Sequence, residues 1–261
     1  VLAVVRDRLD PTAVVLRLSR QVQQVLQDDA DLFGGELDHE LRDGVTLLGE
    51  APVQPVLFRE NGLTFEADVV HGQKTGHFLD QRDNRARVRA LAHGADALDV
   101  FSCTGGFTVH AAAGGARSVH SVDLSSHAIA TVRRNLQHNQ RLAPVRESRH
   151  EATVGDAFDT MQRLARDGSQ FDLVVVDPPS FASKNVDVGP ALAAYRRLTE
   201  LALRLVRPGG VLVQSSCSSR ITAAQFHEAV ESTARDASVD LDVFDRTDHP
   251  IDHPIGFAHG A

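Results

Sequence analysis

The sequence predicts an α/β fold with a doubly wound parallel sheet, preceded by a small α+β domain. Three observations carry this prediction. Strand and helix patterns alternate from about residue 98, Phe171–Val176 is a continuous apolar run, and a glycine turn at Thr104–Phe107 directly follows an apolar strand. A continuous apolar run is expected of a parallel strand buried on both faces. Alternating strands and helices predict a sheet with helices packed on its faces.

Local signals define each element of this larger domain. Ser125 or Ser126 is a suitable N-cap for the second helix, and Pro208-Gly209-Gly210 predicts a turn between a helix and a strand. The predicted strands are Ala97–Phe101, Ser118–Asp123, Glu151–Val154, Phe171–Val176, Val211–Ser215 and Val239–Phe244. The predicted helices are Thr108–Gly114, Ser126–Asn139, Ala157–Asp167, Ala191–Leu205 and Ala223–Asp236.

The first 86 residues have a different pattern, with short apolar runs and few long amphipathic segments. Glu60-Asn61-Gly62 is a hairpin turn signal between two of these runs. The predicted strands are Val1–Val5, Val14–Leu18, Val45–Leu48, Val56–Arg59 and Leu63–Val70, and the predicted helix is Arg20–Asp28. We therefore predict a small α+β domain over residues 1–86 and a larger α/β domain over residues 87–261.

Composition limits the classes of protein that the chain can represent. With 261 residues, of which 42% are hydrophobic, it can bury a core, and no run approaches the roughly 20 apolar residues that a bilayer span requires. No signal peptide pattern is visible, and the two cysteines do not form a disulfide framework, so we expect a cytoplasmic protein. The net charge of −8 argues against a generally basic nucleic-acid binder. Lys74–Arg89 is locally basic, which fits either a binding face or a solvated helix.

The glycine turn is a candidate ligand site. Thr104-Gly105-Gly106-Phe107 lies between a strand and a helix, where glycines let the backbone approach a nucleotide-like ligand. Asp123 ends the next strand and can accept hydrogen bonds from both ribose hydroxyls of an adenosine. The Gly-x-Gly-x-x-Gly pattern that suits a pyrophosphate is absent. The loop therefore favours S-adenosylmethionine over a dinucleotide, with an ordinary βα turn as the alternative.

Two further strand ends carry carboxylates. Asp156 is placed for an adenine amino group, although it is also a suitable N-cap for the helix that begins at Ala157. Asp177 is followed by Pro178-Pro179-Ser180-Phe181, in which two prolines stiffen the backbone. A carboxylate on such a rigid edge can bind the amino group or a protonated ring nitrogen of a nucleobase. The alternative is a structural turn that caps a helix.

Cys217 lies among hydroxyls in Ser215–Ser219, at the end of the strand after the one that leads to Asp177. A thiolate is a strong nucleophile, and partly open polar surroundings favour it. A lone cysteine is nevertheless more often part of a core, and Cys103 in the glycine turn is best explained by packing.

These motifs resemble those of a known family, the bacterial 23S ribosomal RNA 5-methylcytosine methyltransferases of the large-subunit methyltransferase I type. The resemblance covers about residues 40–257. Its segments are Glu60–Leu63, His71–Gly76, Phe78–Arg85, Phe101–Phe107, Asp177–Phe181 and Ser216-Cys217-Ser218. It implies a class I S-adenosylmethionine-dependent fold, a ribosomal RNA substrate and an RNA-side role for residues 1–86. A sister group that methylates guanine N7 carries Asn-Asn in place of Ser216-Cys217.

The resemblance, taken with the strand ends, implies a set of site residues. The catalytic pair would be Cys217 and Asp177. The cofactor would contact Ser102, Thr104, Gly105, Gly106, Phe107, Asp123, Asp156, Ala157 and Gln81. The substrate would contact Lys74, Arg82, Pro178, Pro179 and Phe181.

The implied mechanism is covalent: Cys217 attacks cytosine C6, and Asp177 holds N3 and the amino group of the base. Many RNA 5-methylcytosine enzymes carry a second cysteine where this chain has Ser180, so the base that removes the C5 proton is unassigned. The target nucleotide must be unpaired or extruded to reach such a pocket.

The chain also departs from the family pattern. The family usually begins with a PUA module and continues with another strand after Gly256-Phe257-Ala258, so we expect the printed residues to be part of a longer chain. Histidines precede prolines at His249-Pro250 and His253-Pro254, but the family has such loops without metal, and we expect none. We expect no membrane partner, and a homodimer is among the open assembly states. The alternative functions are a non-catalytic cofactor-binding or RNA-scaffolding protein, and a methyltransferase for another nucleobase or a small molecule.

Overall fold

The computed structural model describes residues 2–19, 22–25, 42–70, 76–182, 188–248 and 250–253. The chain divides into two compact units, residues 1–59 with 65–77 and residues 60–64 with 78–261. A functional boundary at residue 86 stays a prediction.

The first unit contains short elements. They are α1 (Leu2–Leu9), β1 (Ala13–Val15), β2 (Thr46–Gly49), and most of β3 (Val56–Glu60) and β4 (Leu63–Ala67). Residues 22–25 are helical, within the predicted Arg20–Asp28 helix. Strands β1 and β2 pair antiparallel, with Ala13 opposite Gly49. The rings of Phe58, Phe65 and His77 pack together, and Phe65 lies 4.7 Å from His77 between ring centroids.

The predicted hairpin turn is confirmed between β3 and β4, which form a two-stranded sheet. Asn61 has φ 50° and Gly62 has φ 80°, so both central residues adopt the left-handed conformation. A two-residue turn of this kind matches the twist of the flanking strands, and Asn-Gly is its preferred sequence.

The predicted strand at Val1–Val5 is wrong, because residues 2–9 form helix α1 and none of them is buried. The apolar run continues into a segment with Arg6, Arg8 and Leu9, which are good helix formers. A helix satisfies its own backbone hydrogen bonds, whereas a strand requires a partner strand.

The second unit is built on a parallel sheet. Its strands are β5 (Asp96–Val100), β6 (Ser118–Asp123), β7 (Arg149–Val154), β8 (Phe171–Val176) and β9 (Val206–Gln214). Its helices are α2 (Arg82–Leu91), α3 (Gly106–Ala113), α4 (Ser126–His138), α5 (Ala143–Glu147), α6 (Ala157–Arg166), α7 (Val188–Leu205) and α8 (Ala223–Asp236), and a 3₁₀ turn at Leu79–Gln81 precedes α2.

The strand order β7-β6-β5-β8-β9 confirms the predicted doubly wound α/β fold. All four strand pairs are parallel, with Leu98 opposite both His120 and Val174. The chain reverses its direction of winding between β5 and β8. Ligands of such sheets bind at the carboxyl ends of the strands beside this switch point. The loops after β5 and β8 therefore define the expected site.

Strand β8 is buried through Leu173–Val176, as its apolar run predicts. Its side chains join Leu98 and Val100 of β5 and Leu198 and Leu205 of α7 in one core cluster. This packing fixes the strand ends that carry the candidate site.

Two predictions near the end of the chain are wrong. The predicted strand Val211–Ser215 corresponds to β9, which begins earlier, at Val206. Phe171 of β8 pairs with Val206 and Leu173 pairs with Val211, so residues 207–210 form a bulge in β9. Proline and glycine are tolerated in such bulges. The predicted strand Val239–Phe244 has no regular structure and is mostly exposed. Its alternating pattern has no partner strand among the described residues.

In the described part of the chain, no helix has the length and apolar character to cross a membrane.

Candidate functional site

The loop from β5 to α3 has an unusual backbone that brings it over the strand end. Phe101, Cys103 and Gly105 all have positive φ, of 63°, 48° and 84°. A Cβ on Gly105 would lie 2.9 Å from Val132 of α4, so only glycine fits there. The Asn135 side chain donates a 2.8 Å hydrogen bond to the Thr104 carbonyl. Helix α4 thus holds this loop from behind.

Asp123 at the end of β6 anchors the same loop. Its carboxylate accepts hydrogen bonds from the backbone N–H of Cys103 and from that of Ser125, both at 2.8 Å. The structure therefore brings Asp123 to the predicted glycine turn. Cys103 is half-buried, and burial raises the pKa of its thiol to about 11, which fits the predicted packing role.

Two buried polar atoms below the loop have no hydrogen-bond partner among the described residues. They are Oδ1 of Asp99 and Oγ of Ser102, whose residues are 2% and 5% exposed. Oδ2 of Asp99 accepts a 2.6 Å hydrogen bond from Thr108. Burial raises the pKa of Asp99 to about 6, and the charge of Asp123 adds to this. Unsatisfied buried polar groups are costly, so their presence next to a glycine turn fits a site for a polar ligand.

The other predicted cofactor residues differ in accessibility. Asp156 is the N-cap of α6 and accepts a 3.1 Å hydrogen bond from the N–H of Asp159, as the alternative interpretation predicted. Ala157 is buried, and the Phe107 side chain lies in the core. Contacts from these residues to an adenine or a methionine moiety stay predictions.

Asp177 lies beyond β8, on the other side of the switch point. Its Oδ1 accepts a 3.2 Å hydrogen bond from Gln81, whose own Oε1 accepts one from Asn84 at 2.7 Å. Burial raises the pKa of Asp177 to about 7, and the charges of Asp99 and Asp80 act in the same direction. The residue as a whole is half-buried. Asp177 is therefore largely enclosed by protein without being sealed in the core.

Cys217 lies against the segment that follows Asp177. Its side chain is exposed, and its Sγ donates a hydrogen bond to the carbonyl of Pro178 at 3.6 Å. Pro178 is buried, Pro179 is exposed and Phe181 is half-buried. The structure thus brings together the two segments that carry the predicted catalytic pair, although they are separated by 39 residues in sequence.

The structure describes only some of the predicted substrate residues. Lys74 lies outside the described residues. Arg82 donates hydrogen bonds of 2.6 and 3.4 Å to the carboxylate of Asp252 and one of 3.0 Å to Asp83. These acidic partners raise the pKa of the guanidinium. Gln81, the residue before Arg82, reaches Asp177, so the start of α2 lies at the candidate site.

Three residues that support the candidate site were not predicted from the sequence. Asn135 supports the loop, Arg85 forms a buried ion pair with Glu60, and Tyr195 hydrogen-bonds both serines that flank Cys217. The sequence holds one signal for Tyr195, because it is the only tyrosine in a chain without tryptophan. The described residues contain no group of three or more His, Cys, Asp or Glu side chains able to hold a metal ion.

The donor set fits S-adenosylmethionine, which carries an ammonium, a sulfonium and an adenosine. Asp99 interacts electrostatically with both Asp123 and Asp177 at this sheet edge, and such a group of carboxyls favours a cationic ligand. The glycine turn lets the backbone approach the ligand, and Asp123 supplies acceptors for hydroxyl groups.

Comparison with known proteins agrees with this fit. The S-adenosylmethionine-dependent methyltransferase family profile matches residues 37–258. A ribosomal RNA large subunit methyltransferase of Deinococcus radiodurans is 41% identical over 246 residues, which cover 94% of this chain and 57% of the relative. Ribosomal RNA large subunit methyltransferase I of Shewanella amazonensis is 35% identical over 85% of this chain and 57% of its own length. The chain thus spans somewhat more than half the length of these relatives.

Solved structures show the same fold. The crystal structure of SMU.776 complexed with SAH has a TM-score of 0.71 and 26% identity, covering 89% of this chain and 62% of that one. The SAM-dependent methyltransferase from Agrobacterium tumefaciens has a TM-score of 0.58 and 25% identity, covering 72% and 60%. The fold is that of a class I Rossmann-like methyltransferase, and its cofactor is S-adenosylmethionine. The chain belongs to the S-adenosylmethionine-dependent methyltransferase family.

Proposed function

We propose that the chain methylates ribosomal RNA, at C5 of a cytosine in 23S RNA, through a covalent bond to Cys217. The observation that carries this proposal is the 3.6 Å contact between the exposed Cys217 Sγ and the Pro178 carbonyl. It brings a thiol next to the residue that follows Asp177. The similarity to ribosomal RNA large subunit methyltransferases supports the choice of RNA as substrate. A ribosomal substrate implies work in the cytoplasm.

Bound S-adenosylmethionine supplies an electrophilic methyl group on a sulfonium. Thr104, Gly105, Gly106 and Asp123 would hold it, together with Ser102, Phe107, Asp156, Ala157 and Gln81. The protein's task is to make C5 of the target base nucleophilic, which an unmodified cytosine is not.

Cys217 performs that task in the proposed mechanism. Its thiolate forms a bond to C6, and the electrons of the C5–C6 double bond move toward N3 and make C5 nucleophilic. After methylation of C5, a base removes the C5 proton, the double bond re-forms and the thiolate leaves. The N3 proton returns to Asp177, and the base passes the C5 proton to solvent before the next turnover.

Asp177 supports the charge that develops on the base. Because its pKa is raised to about 7, the carboxyl can carry a proton near neutrality and donate it toward N3. Gln81 fixes the orientation of this group through its hydrogen bond to Oδ1. Lys74, Arg82, Pro179 and Phe181 are the proposed contacts to the RNA.

The test is single-turnover methyl transfer from labelled S-adenosylmethionine to unmodified 23S RNA fragments. Cys217→Ser is expected to lower the rate about 10³-fold or more, because a hydroxyl is a far weaker nucleophile. Cofactor affinity by calorimetry should be nearly unchanged. Cys103→Ser is the matched control and should retain turnover.

An adduct experiment distinguishes the competing functions. RNA that contains 5-fluorocytosine is expected to trap the wild-type protein covalently, because fluorine at C5 blocks release. A non-catalytic scaffolding protein would bind this RNA without a covalent bond. Substantial methylation by Cys217→Ser would instead indicate another base or a reaction without an adduct.

A further inference from the structure

Tyr195 of α7 lies at the centre of a hydroxyl network behind the candidate nucleophile. Its side chain is fully buried, with 0% exposure. The phenol oxygen lies 2.8 Å from Oγ of Ser216 and 3.0 Å from Oγ of Ser218. Burial raises the pKa of the phenol, and the charges of Cys217 and Asp177 raise it further. The phenol is therefore protonated at neutral pH and can donate one of these hydrogen bonds while it accepts the other.

The two serines occupy positions on either side of Cys217. The hydroxyls of both serines reach the buried phenol of Tyr195, whereas Cys217 between them is exposed. The exposures follow this pattern: Ser218 is 4% exposed, Ser216 is half-buried and Cys217 is exposed. One buried phenol thus binds the residues on both sides of the exposed thiol.

The same network reaches the loop after Asp177. Oγ of Ser218 accepts a 3.1 Å hydrogen bond from the N–H of Phe181 and lies 3.4 Å from Oγ of Ser180. The Phe181 ring packs edge-on against Tyr195, with 5.2 Å between centroids. The two segments of the candidate catalytic pair are therefore joined through Ser218 and Tyr195.

We propose that Tyr195 is a positioning residue that directs the Cys217 thiol toward the target base and holds it in register with Asp177. This inference rests on the proposed covalent reaction. The phenol itself does not touch the substrate. Its effect should therefore appear in the rate of bond formation at cytosine C6 and not in the affinity for S-adenosylmethionine or RNA.

Tyr195→Phe removes the hydroxyl and keeps the ring that packs against Phe181 and Phe226. Thr199→Val is the matched control. Thr199 is fully buried in the same helix, and its hydroxyl oxygen lies 2.9 Å from the Tyr195 carbonyl and 3.0 Å from Oε1 of Gln214 in β9, so that it can donate to either acceptor. Both variants lose a buried hydroxyl on α7, so their losses of stability should be similar. Only one of them loses contacts to the residues beside Cys217.

The measurement is the rate of covalent adduct formation with 5-fluorocytosine RNA, together with kcat and KM for unmodified RNA. Tyr195→Phe is expected to lower the adduct rate and kcat about 10–100-fold, since small misplacements of a reacting group cost this much, with KM and cofactor affinity nearly unchanged. Thr199→Val should remain within about twofold of wild type, as expected for a change that leaves the reacting group in place. Ser216→Ala repeats the test, because it removes the partner of Tyr195 in the shorter of the two hydrogen bonds, at 2.8 Å.

The possible outcomes distinguish the positioning role of Tyr195 from the covalent reaction on which it rests. Equal adduct rates in the wild type and Tyr195→Phe would overturn the positioning role. Equal losses in Tyr195→Phe and Thr199→Val would also overturn it, because the effect would then reflect stability alone. An absence of any adduct in the wild type would instead reject the covalent reaction itself.

Discussion

At the scale of single residues, Asp123 shows how one carboxylate can serve both the fold and a ligand. Its two oxygens accept hydrogen bonds from the backbone of Cys103 and Ser125. An ionised carboxylate offers about four acceptor positions, so these two bonds leave capacity for ribose hydroxyls. The backbone donors fix the carboxylate before a ligand arrives, which reduces the entropy that binding must overcome.

This arrangement predicts a loss of cofactor affinity in Asp123→Ala. Hydrogen bonds to a charged group contribute about 1.5–3 kcal/mol, which corresponds to roughly 10–150-fold in Kd. Calorimetric titration with S-adenosylmethionine measures the change. Asp240→Ala, which removes an exposed carboxylate in the irregular segment after α8, is the control and should bind as the wild type does. Equal affinity of Asp123→Ala and the wild type would exclude this residue from the cofactor site.

At the scale of elements, a buried ion pair connects the hairpin turn with α2 and α3. Arg85 of α2 donates two hydrogen bonds of 2.7 Å to Glu60, and both side chains are only 3% exposed. A Cβ on Gly106 would lie 2.8 Å from Cδ of Arg85, so the guanidinium stem packs directly on the start of α3. His110 of α3 closes the group through its contact with Asn61 at 3.3 Å. The Glu60-Asn61-Gly62 motif thus supports the glycine turn from a distance in sequence.

Breaking this pair should destabilise the protein strongly. Glu60→Gln leaves the Arg85 charge buried without its counter-ion, which costs about 3–5 kcal/mol in comparable cases. The matched control is Glu228→Gln, which breaks the exposed 2.8 Å pair with Arg235 on α8 and should cost at most about 1 kcal/mol. Urea unfolding followed by circular dichroism measures both. Similar small losses in the two variants would mean that the buried pair is not a major contributor.

Sequence patterns predicted those elements whose signals are local. The apolar run of β8 predicts its bounds correctly, since burial on both faces leaves a direct mark in the sequence. The predicted bounds of α8 are also correct, and the structure shows Thr222 as its N-cap. Val239–Phe244 was mispredicted because alternation shows a potential strand but not whether a partner strand is available. The same difference between local and long-range signals applies to the candidate site. The segments around Asp123, Asp177 and Cys217 are visible as strand ends, whereas the support from Tyr195 depends on contacts about 20 residues apart.

At the scale of the whole molecule, buried titratable groups give opposing contributions to the pH dependence of stability. Burial raises the pKa of Asp177 to about 7 and of Asp99 to about 6. Burial also lowers the pKa of His110 and of His150 to about 4. Between about pH 4 and pH 7 the folded aspartates bind protons that the unfolded chain has released, so stability falls as pH rises. The histidines have the opposite effect below about pH 6.5, because there the unfolded chain binds the extra protons.

Comparison with Asp177→Asn reports on the Asp177 carboxyl together with its interaction with Asp99, because the two histidines titrate in both proteins and cancel in the difference. The ordinary aspartate pKa is 3.8, and the folded value is about 7. The stability of the wild type relative to Asp177→Asn should therefore decrease as pH rises from about 5 to 8. We expect a total change of about 1–3 kcal/mol, since Asp177 as a whole is only half-buried. Asp172→Asn is the control: its partners Asp96 N–H and Arg207 lower the pKa of Asp172, so that carboxyl is ionised in both states and the difference should stay flat. Urea unfolding at pH 5, 6, 7 and 8 supplies the free energies of unfolding. A difference between the wild type and Asp177→Asn that is constant over this range would show that Asp177 is ionised throughout and cannot donate a proton to the base.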